Sequence, residues 1–120
     1  MNIGFVTIPV TSLDETIKFY KEVMDFKIVT RFGAGPQMEI VFMADEKGNQ
    51  LEFIQSGNEK VQHDGLISIG FYVNDIEATA DHLRKHNVNV TQGPITLPSG
   101  VKLMHAEDLN GVGLGFAQRP

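Results

Sequence analysis

Apolar and polar residues alternate along residues 2–10 (NIGFVTIPV), which puts Val6, Ile8 and Val10 on one face and Phe5, Thr7 and Pro9 on the other. This two-residue period predicts a strand with one face covered, and Pro9 suits an edge position. From Leu13 the period lengthens. Leu13, Ile17, Tyr20 and Met24, joined by Phe19 and Val23, share one stripe of a helix. Thr11 or Ser12 is placed to cap that helix, with Asp14 and Glu15 in its first turn at the positive end of the dipole. The helix is expected to end near Asp25, after which residues 26–31 (FKIVTR) alternate again and Gly33, Gly35 and Pro36 turn the chain. Residues 38–44 and 50–55 then read as a hairpin around Gly48 and Asn49, both tolerant of positive φ. On its second strand Leu51 and Phe53 point one way and Gln50, Glu52 and Ile54 the other.

The pattern then returns. Adding 63 to Phe5, Val10, Leu13 and Thr16 gives Ser68, Val73, Ile76 and Thr79, and the same offset carries Asp45 to Asp108 and Gly48 to Gly111. A strand over residues 66–73, a helix over 75–86 and a strand over 88–91 are followed by turns at Gly93 and Pro94 and at residues 98–100. A last hairpin pairs residues 101–106 with 112–117 around Asn110 and Gly111. The expected fold class is therefore α+β: two βαβββ modules, residues 1–56 and 66–120, joined by a polar linker over 57–65 within one domain. In each module one sheet face carries the helix. The other face takes Phe5, Thr7, Pro9, Gln50, Glu52 and Ile54 in the first module and Ser68, Gly70, Tyr72, Gly113, Gly115 and Ala117 in the second. Small residues in such positions leave space that side chains do not fill, and a cleft for a ligand is the expectation.

Composition narrows the partners. Ten basic residues against fifteen acidic ones give a formal charge of −5, with no block of like charge. Nucleic acid and anionic membranes, which select clustered Lys and Arg, are not expected partners. No apolar run nears the roughly 20 residues of a membrane span, no signal-peptide pattern opens the chain, and cysteine is absent. A cytoplasmic location is expected.

The paired βαβββ pattern, the strand-step-helix stretch VTIPVTSLDETIKFY and the hairpin strands GNQLEFIQ and NGVGLGFAQ resemble the vicinal oxygen chelate superfamily. That superfamily includes glyoxalase I, methylmalonyl-CoA epimerase, extradiol dioxygenases, and fosfomycin- and bleomycin-resistance proteins. In its enzymes, the resemblance implies a divalent metal held by His and Glu side chains from the first and last strands of each module. Those positions fall here on Phe5, Glu52, Ser68 and Gly115, and of these Glu52 alone has a side chain suited to a divalent ion.

Two functions follow. The first is a metal-independent protein that binds a drug or metabolite, as in the bleomycin-resistance branch, with Phe5, Thr7, Glu52, Ser68, Tyr72, His105 and Gly115 around the ligand, no cofactor, and a homodimer as the assembly. The alternative is a lyase or isomerase resembling lactoylglutathione lyase (glyoxalase I), with zinc, nickel, iron or manganese and Glu52 as its catalytic carboxylate. His105 is a candidate hydrogen-bonding group or general base if it faces the cleft. His82 and His86, spaced i, i+4 on the second helix, read as solvated, and His63 as a surface residue of the linker. Phe42 adds an aromatic surface, and Arg31 and Lys102 are candidates for an anionic group at the cleft mouth.

Overall fold

The computed structural model describes all 120 residues. Its elements run β1 (Phe5–Pro9), α1 (Leu13–Glu22), β2 (Lys27–Gly33), β3 (Met38–Ala44), β4 (Gln50–Ser56), β5 (Ser68–Tyr72), α2 (Ile76–Lys85), β6 (Asn89–Thr96), β7 (Lys102–Glu107) and β8 (Gly113–Gln118). The strands form two four-stranded sheets, ordered β1-β4-β3-β2 and β5-β8-β7-β6. In each sheet the first strand pairs parallel with the last, and the other pairings are antiparallel. This is the α+β arrangement of two βαβββ modules. The chain divides into two compact units, Met1–Gln62 and His63–Pro120.

In the first unit α1 begins where Ser12 takes an extended conformation and its hydroxyl accepts from the Glu15 N–H at 3.2 Å. Thr11, the other capping candidate, instead exchanges two hydrogen bonds with the Val61 backbone, donating at 3.0 Å and accepting at 2.8 Å. The first amide of the helix, on the fully buried Leu13, is satisfied by the Gln55 side-chain oxygen at 2.7 Å, because the opening N–H groups of a helix have no partner within it. Leu13, Ile17 and Tyr20 bury against Val41, Met43, Leu51 and Phe53 of the sheet, and the Tyr20 ring lies 4.7 Å from that of Phe53. Each such side chain contributes about 1.5–3 kcal/mol through burial.

Three sequence expectations need correction here. The helix stops at Glu22, short of Asp25, because Asp25 takes φ 59 and the Phe26 N–H closes back on the Tyr20 carbonyl. Phe19, Val23 and Met24 are only half-buried, and Thr16 takes a fully buried place, its hydroxyl satisfied by the Ser12 carbonyl at 2.7 Å. Val6, though on the helix side, is 46% exposed near the start of the edge strand β1, whereas Ile8 and Val10 further along the same face are buried.

The second unit repeats these devices. Asp75 caps α2 through the Ala78 N–H, Thr79 bonds back to the Asp75 carbonyl, and the Gln118 side-chain oxygen accepts from the Ile76 N–H at 2.8 Å. Ile76, Ala80 and Leu83 are buried in a core with Met104, Ala106, Leu114 and Phe116. The hairpin turns match too: the Asp45 carboxylate accepts from the Lys47 and Asn49 N–H groups, and Asp108 from those of Asn110 and Val112. One strand departs from expectation. β6 runs through Gly93 and Pro94 to Thr96, whereas the sequence suggested a strand ending at Thr91 and a turn at Gly93. Gly93 has φ +87 and a Cβ there would lie 2.6 Å from the Leu103 carbonyl, so only glycine lets β6 stay close to β7. The chain reverses later, where Leu97 and Val101 bond across residues 98–100.

Candidate functional site

On each sheet, the face away from the helix is where the side chains of functional interest gather. In the first unit, pairing puts Thr7 beside Glu52 and Glu52 beside Phe42, and paired residues share a face. The Thr7 hydroxyl donates to the Glu52 carboxylate at 2.5 Å, the short range of a charge-assisted bond. No cationic side chain pairs with Glu52, whereas Arg31 pairs with Asp14 and Glu39, both at 2.8 Å. Phe5 and Phe42 stand on strands either side of β4, which neighbouring spacings of about 4.8 Å would separate by nearly 10 Å. Their rings are nonetheless 5.2 Å apart and edge-on, so both lean over the strand that carries Glu52. Phe32 stacks on Phe42 at 6.4 Å. Phe5 is 52% exposed and Glu52 half-buried. The result is a carboxylate with one oxygen held by Thr7, the other open, and an aromatic border.

The open face of the second unit is flatter. Gly70 pairs with Gly115, Ser68 with Gly113 and Tyr72 with Ala117. A Cβ on Gly70 would meet nothing within 4 Å. His105 pairs with Gly115, and its imidazole lies over it, with Cε1 3.6 Å from where a Gly115 Cβ would be. His105 therefore belongs to the open face and is exposed. Tyr72 is 73% exposed and carries the Arg119 guanidinium 3.9 Å above its ring, a contact worth about 0.5–1 kcal/mol at the surface.

Among the candidates from sequence, Phe5, Thr7 and Glu52 come together in the first unit, and Ser68, Tyr72, His105 and Gly115 share one face in the second. Arg31 does not join them. It pairs in register with the buried Val41, on the helix side, where Asp14 and Glu39 hold its guanidinium; hydrogen bonds to Glu39 and then Asp14 keep it protonated above its ordinary range. Lys102 alternates with the buried Met104 and Ala106 and also lies on the helix side. His82, His86 and the linker's His63 lie off these faces: the first two are exposed on α2, and the His63 backbone N–H bonds the Asn110 carbonyl. Phe32 and Arg119 escaped the sequence reading, although counting alternate residues back from Phe42 across the hairpin, and on from Ala117, reaches both. A depression of about 450 Å³ at the tip of the β2–β3 hairpin, lined by Gln37, Glu39, Gln55 and Asn58 among others, holds none of these candidates.

Comparison with known proteins places the architecture. Residues 2–116 match the family model of the glyoxalase/bleomycin resistance protein/dioxygenase superfamily. The chain belongs to this superfamily. Lactoylglutathione lyase of Haemophilus influenzae is 31% identical over 129 residues, covering 98% of this chain and 93% of the relative. A single-residue variant of glyoxalase I from Zea mays superposes with TM-score 0.87 at 18% identity, over 98% of this chain but only 44% of the maize chain. The trypanothione-dependent glyoxalase I of Leishmania major superposes with TM-score 0.84 at 22% identity, over 98% and 86%. At the superfamily's metal positions, however, the donors do not fit an ion. Phe5 and Gly115 offer none and Ser68 only a hydroxyl, which leaves Glu52 as the single carboxylate, and no group of three or more His, Cys, Asp or Glu side chains is arranged to hold a metal. No helix is long and apolar enough to cross a membrane.

Proposed function

We propose that this superfamily member is a metal-independent binding protein for a small planar organic cation. One observation carries the reading: the Glu52 carboxylate stands on the open face with Thr7 on one oxygen, no basic side chain to neutralise it, and the Phe5 and Phe42 rings bordering it. A desolvated cation gains both from the unpaired carboxylate and from ring faces. The glycine-lined face of the second unit, with His105 and Tyr72, offers flat surface and a hydrogen-bonding imidazole to the same class of ligand. A second copy of the chain completes the assembly in this reading, covering exposed apolar side chains such as Ile3, Leu66 and Ile67; gel filtration with light scattering tests it, and a monomer at micromolar concentration would count against it.

Calorimetric titration with N-methylquinolinium and its neutral isostere 1-methylnaphthalene tests the ligand class. The cation is expected to bind and the hydrocarbon not, with affinity falling at least about tenfold in Glu52→Gln, equivalent to about 1.4 kcal/mol. Equal binding of the two compounds, or an unaffected Glu52→Gln, would overturn the proposal. The second reading, a metal-dependent lyase, draws on the 31% identity to the Haemophilus enzyme. Formation of lactoylglutathione on adding nickel or zinc, abolished in Glu52→Ala, would establish it in place of the first.

A further inference from the structure

We infer that His82 and His86 on α2 form a surface chelate for a divalent transition ion, separate from both open faces. The two residues are one helical turn apart, so their side chains rise from the same side of α2, and both are exposed. Their ring centroids lie 4.7 Å apart, with the planes at 57°. An imidazole nitrogen binds zinc at about 2.0–2.1 Å, which sets its ring centroid about 3.2 Å from the ion. Two imidazoles meeting at square-planar or tetrahedral angles then hold their centroids about 4.5–5.2 Å apart. The observed separation falls inside that window. The pair also sits in the last turn of α2, with His86 as its C-cap, where the unpaired carbonyls favour a positive charge. Asp81 precedes His82, and Arg84 and Lys85 precede His86, so the flanking side chains carry one acidic and two basic groups. Since α2 packs on the buried side of its sheet, an ion there is on the opposite face from Ser68, His105 and Gly115. Two imidazoles with water completing the shell suit copper and nickel before zinc.

The test uses the untagged full chain, freed of metal with EDTA and titrated with nickel chloride, then zinc chloride, in a weakly coordinating buffer. One nickel per chain is expected, bound more tightly than zinc, with affinity reduced at least tenfold in both His82→Asn and His86→Asn and unchanged in His63→Asn, His105→Asn and Glu52→Gln. With copper, the electron paramagnetic resonance spectrum is expected to show nitrogen coupling that is lost in the double variant. No saturable nickel binding, undiminished binding in His86→Asn, or loss in His105→Asn or Glu52→Gln would overturn the assignment. Metal recovered with the wild-type protein thus reports on α2 unless both histidines are replaced.

Discussion

Gln55 offers a direct test of how the strand carrying Glu52 is anchored. Its side-chain oxygen accepts from the Leu13 N–H at 2.7 Å and its amide donates to the Gly57 carbonyl at 3.1 Å. Replacing it by leucine leaves the Leu13 amide buried without an acceptor, since Leu13 is 0% exposed. Such an orphaned donor costs about 1–3 kcal/mol, and we take about 2. At about 2.1 cal/mol/K per residue, a chain of this length unfolds with an entropy near 0.25 kcal/mol/K, so the melting temperature is expected to drop about 8 °C. Gln55→Glu keeps the acceptor and adds a negative charge at the helix N-terminus but loses the amide donor to the Gly57 carbonyl, so it is expected to melt between the leucine variant and the parent, about 4 °C below the parent for a lost bond of about 1 kcal/mol. Circular dichroism at the helical band, followed through heating at pH 7, reads both. A leucine variant as stable as the parent, or a glutamate variant as weak as leucine, would refute the claim that this side chain is the missing helix cap.

Gly113→Ala should destabilise by about 1–3 kcal/mol, because the new Cβ would lie 2.8 Å from the Ser68 Cβ, whereas Gly70→Ala meets nothing within 4 Å and should melt like the parent; denaturant titration of both variants checks the contrast. Thr7→Val removes the donor that orients Glu52 and should weaken N-methylquinolinium binding about fivefold, less than Glu52→Gln does; equal losses in the two would contradict an orienting role. Burial pushes the Asp45 carboxyl up, but the Asn49 side chain and the N–H groups of Asn49, Lys47 and Gly48 outweigh it and hold the folded-state value below the ordinary one. The resulting stabilisation is present above the unfolded value of about 3.9 and lost as pH falls through the lower folded value. Stability curves of the parent and Asp45→Asn should therefore converge below about pH 4, and curves that stay parallel would contradict this.

Most of the fold was legible because periodicity encodes it directly: Leu13, Ile17 and Tyr20 at helical spacing, and Leu51 and Phe53 alternating with Glu52, are all buried or turned as their spacing implies. Parity also identified the shared face of Phe5, Thr7 and Glu52. Parity tells which way a side chain points but not how far the neighbouring layer reaches, so the exposure of Val6 at the sheet edge was hidden. Contacts between residues distant in sequence were equally out of reach. Gln55 and Gln118 look like solvent-facing strand ends, and only the folded chain brings them to helix amides 42 positions away. Gly93 carried a turn signal that the close approach of β7 converts into a requirement for continuing a strand.

The 63-residue offset separates two kinds of position. Capping pairs Ser12 and Asp75, Thr16 and Thr79, Gln55 and Gln118, and the turn acids Asp45 and Asp108, do the same work in both units. On the open faces the partners differ in kind: Phe5 against Ser68, Thr7 against Gly70, Phe42 against His105, Glu52 against Gly115. Each half thus serves as a built-in control for the other, one framework tested with two linings. A designer wishing to change what this molecule grips has four neighbouring sites on each unit to rewrite and a worked example, in the same chain, that the bonds securing helix to sheet tolerate the exchange.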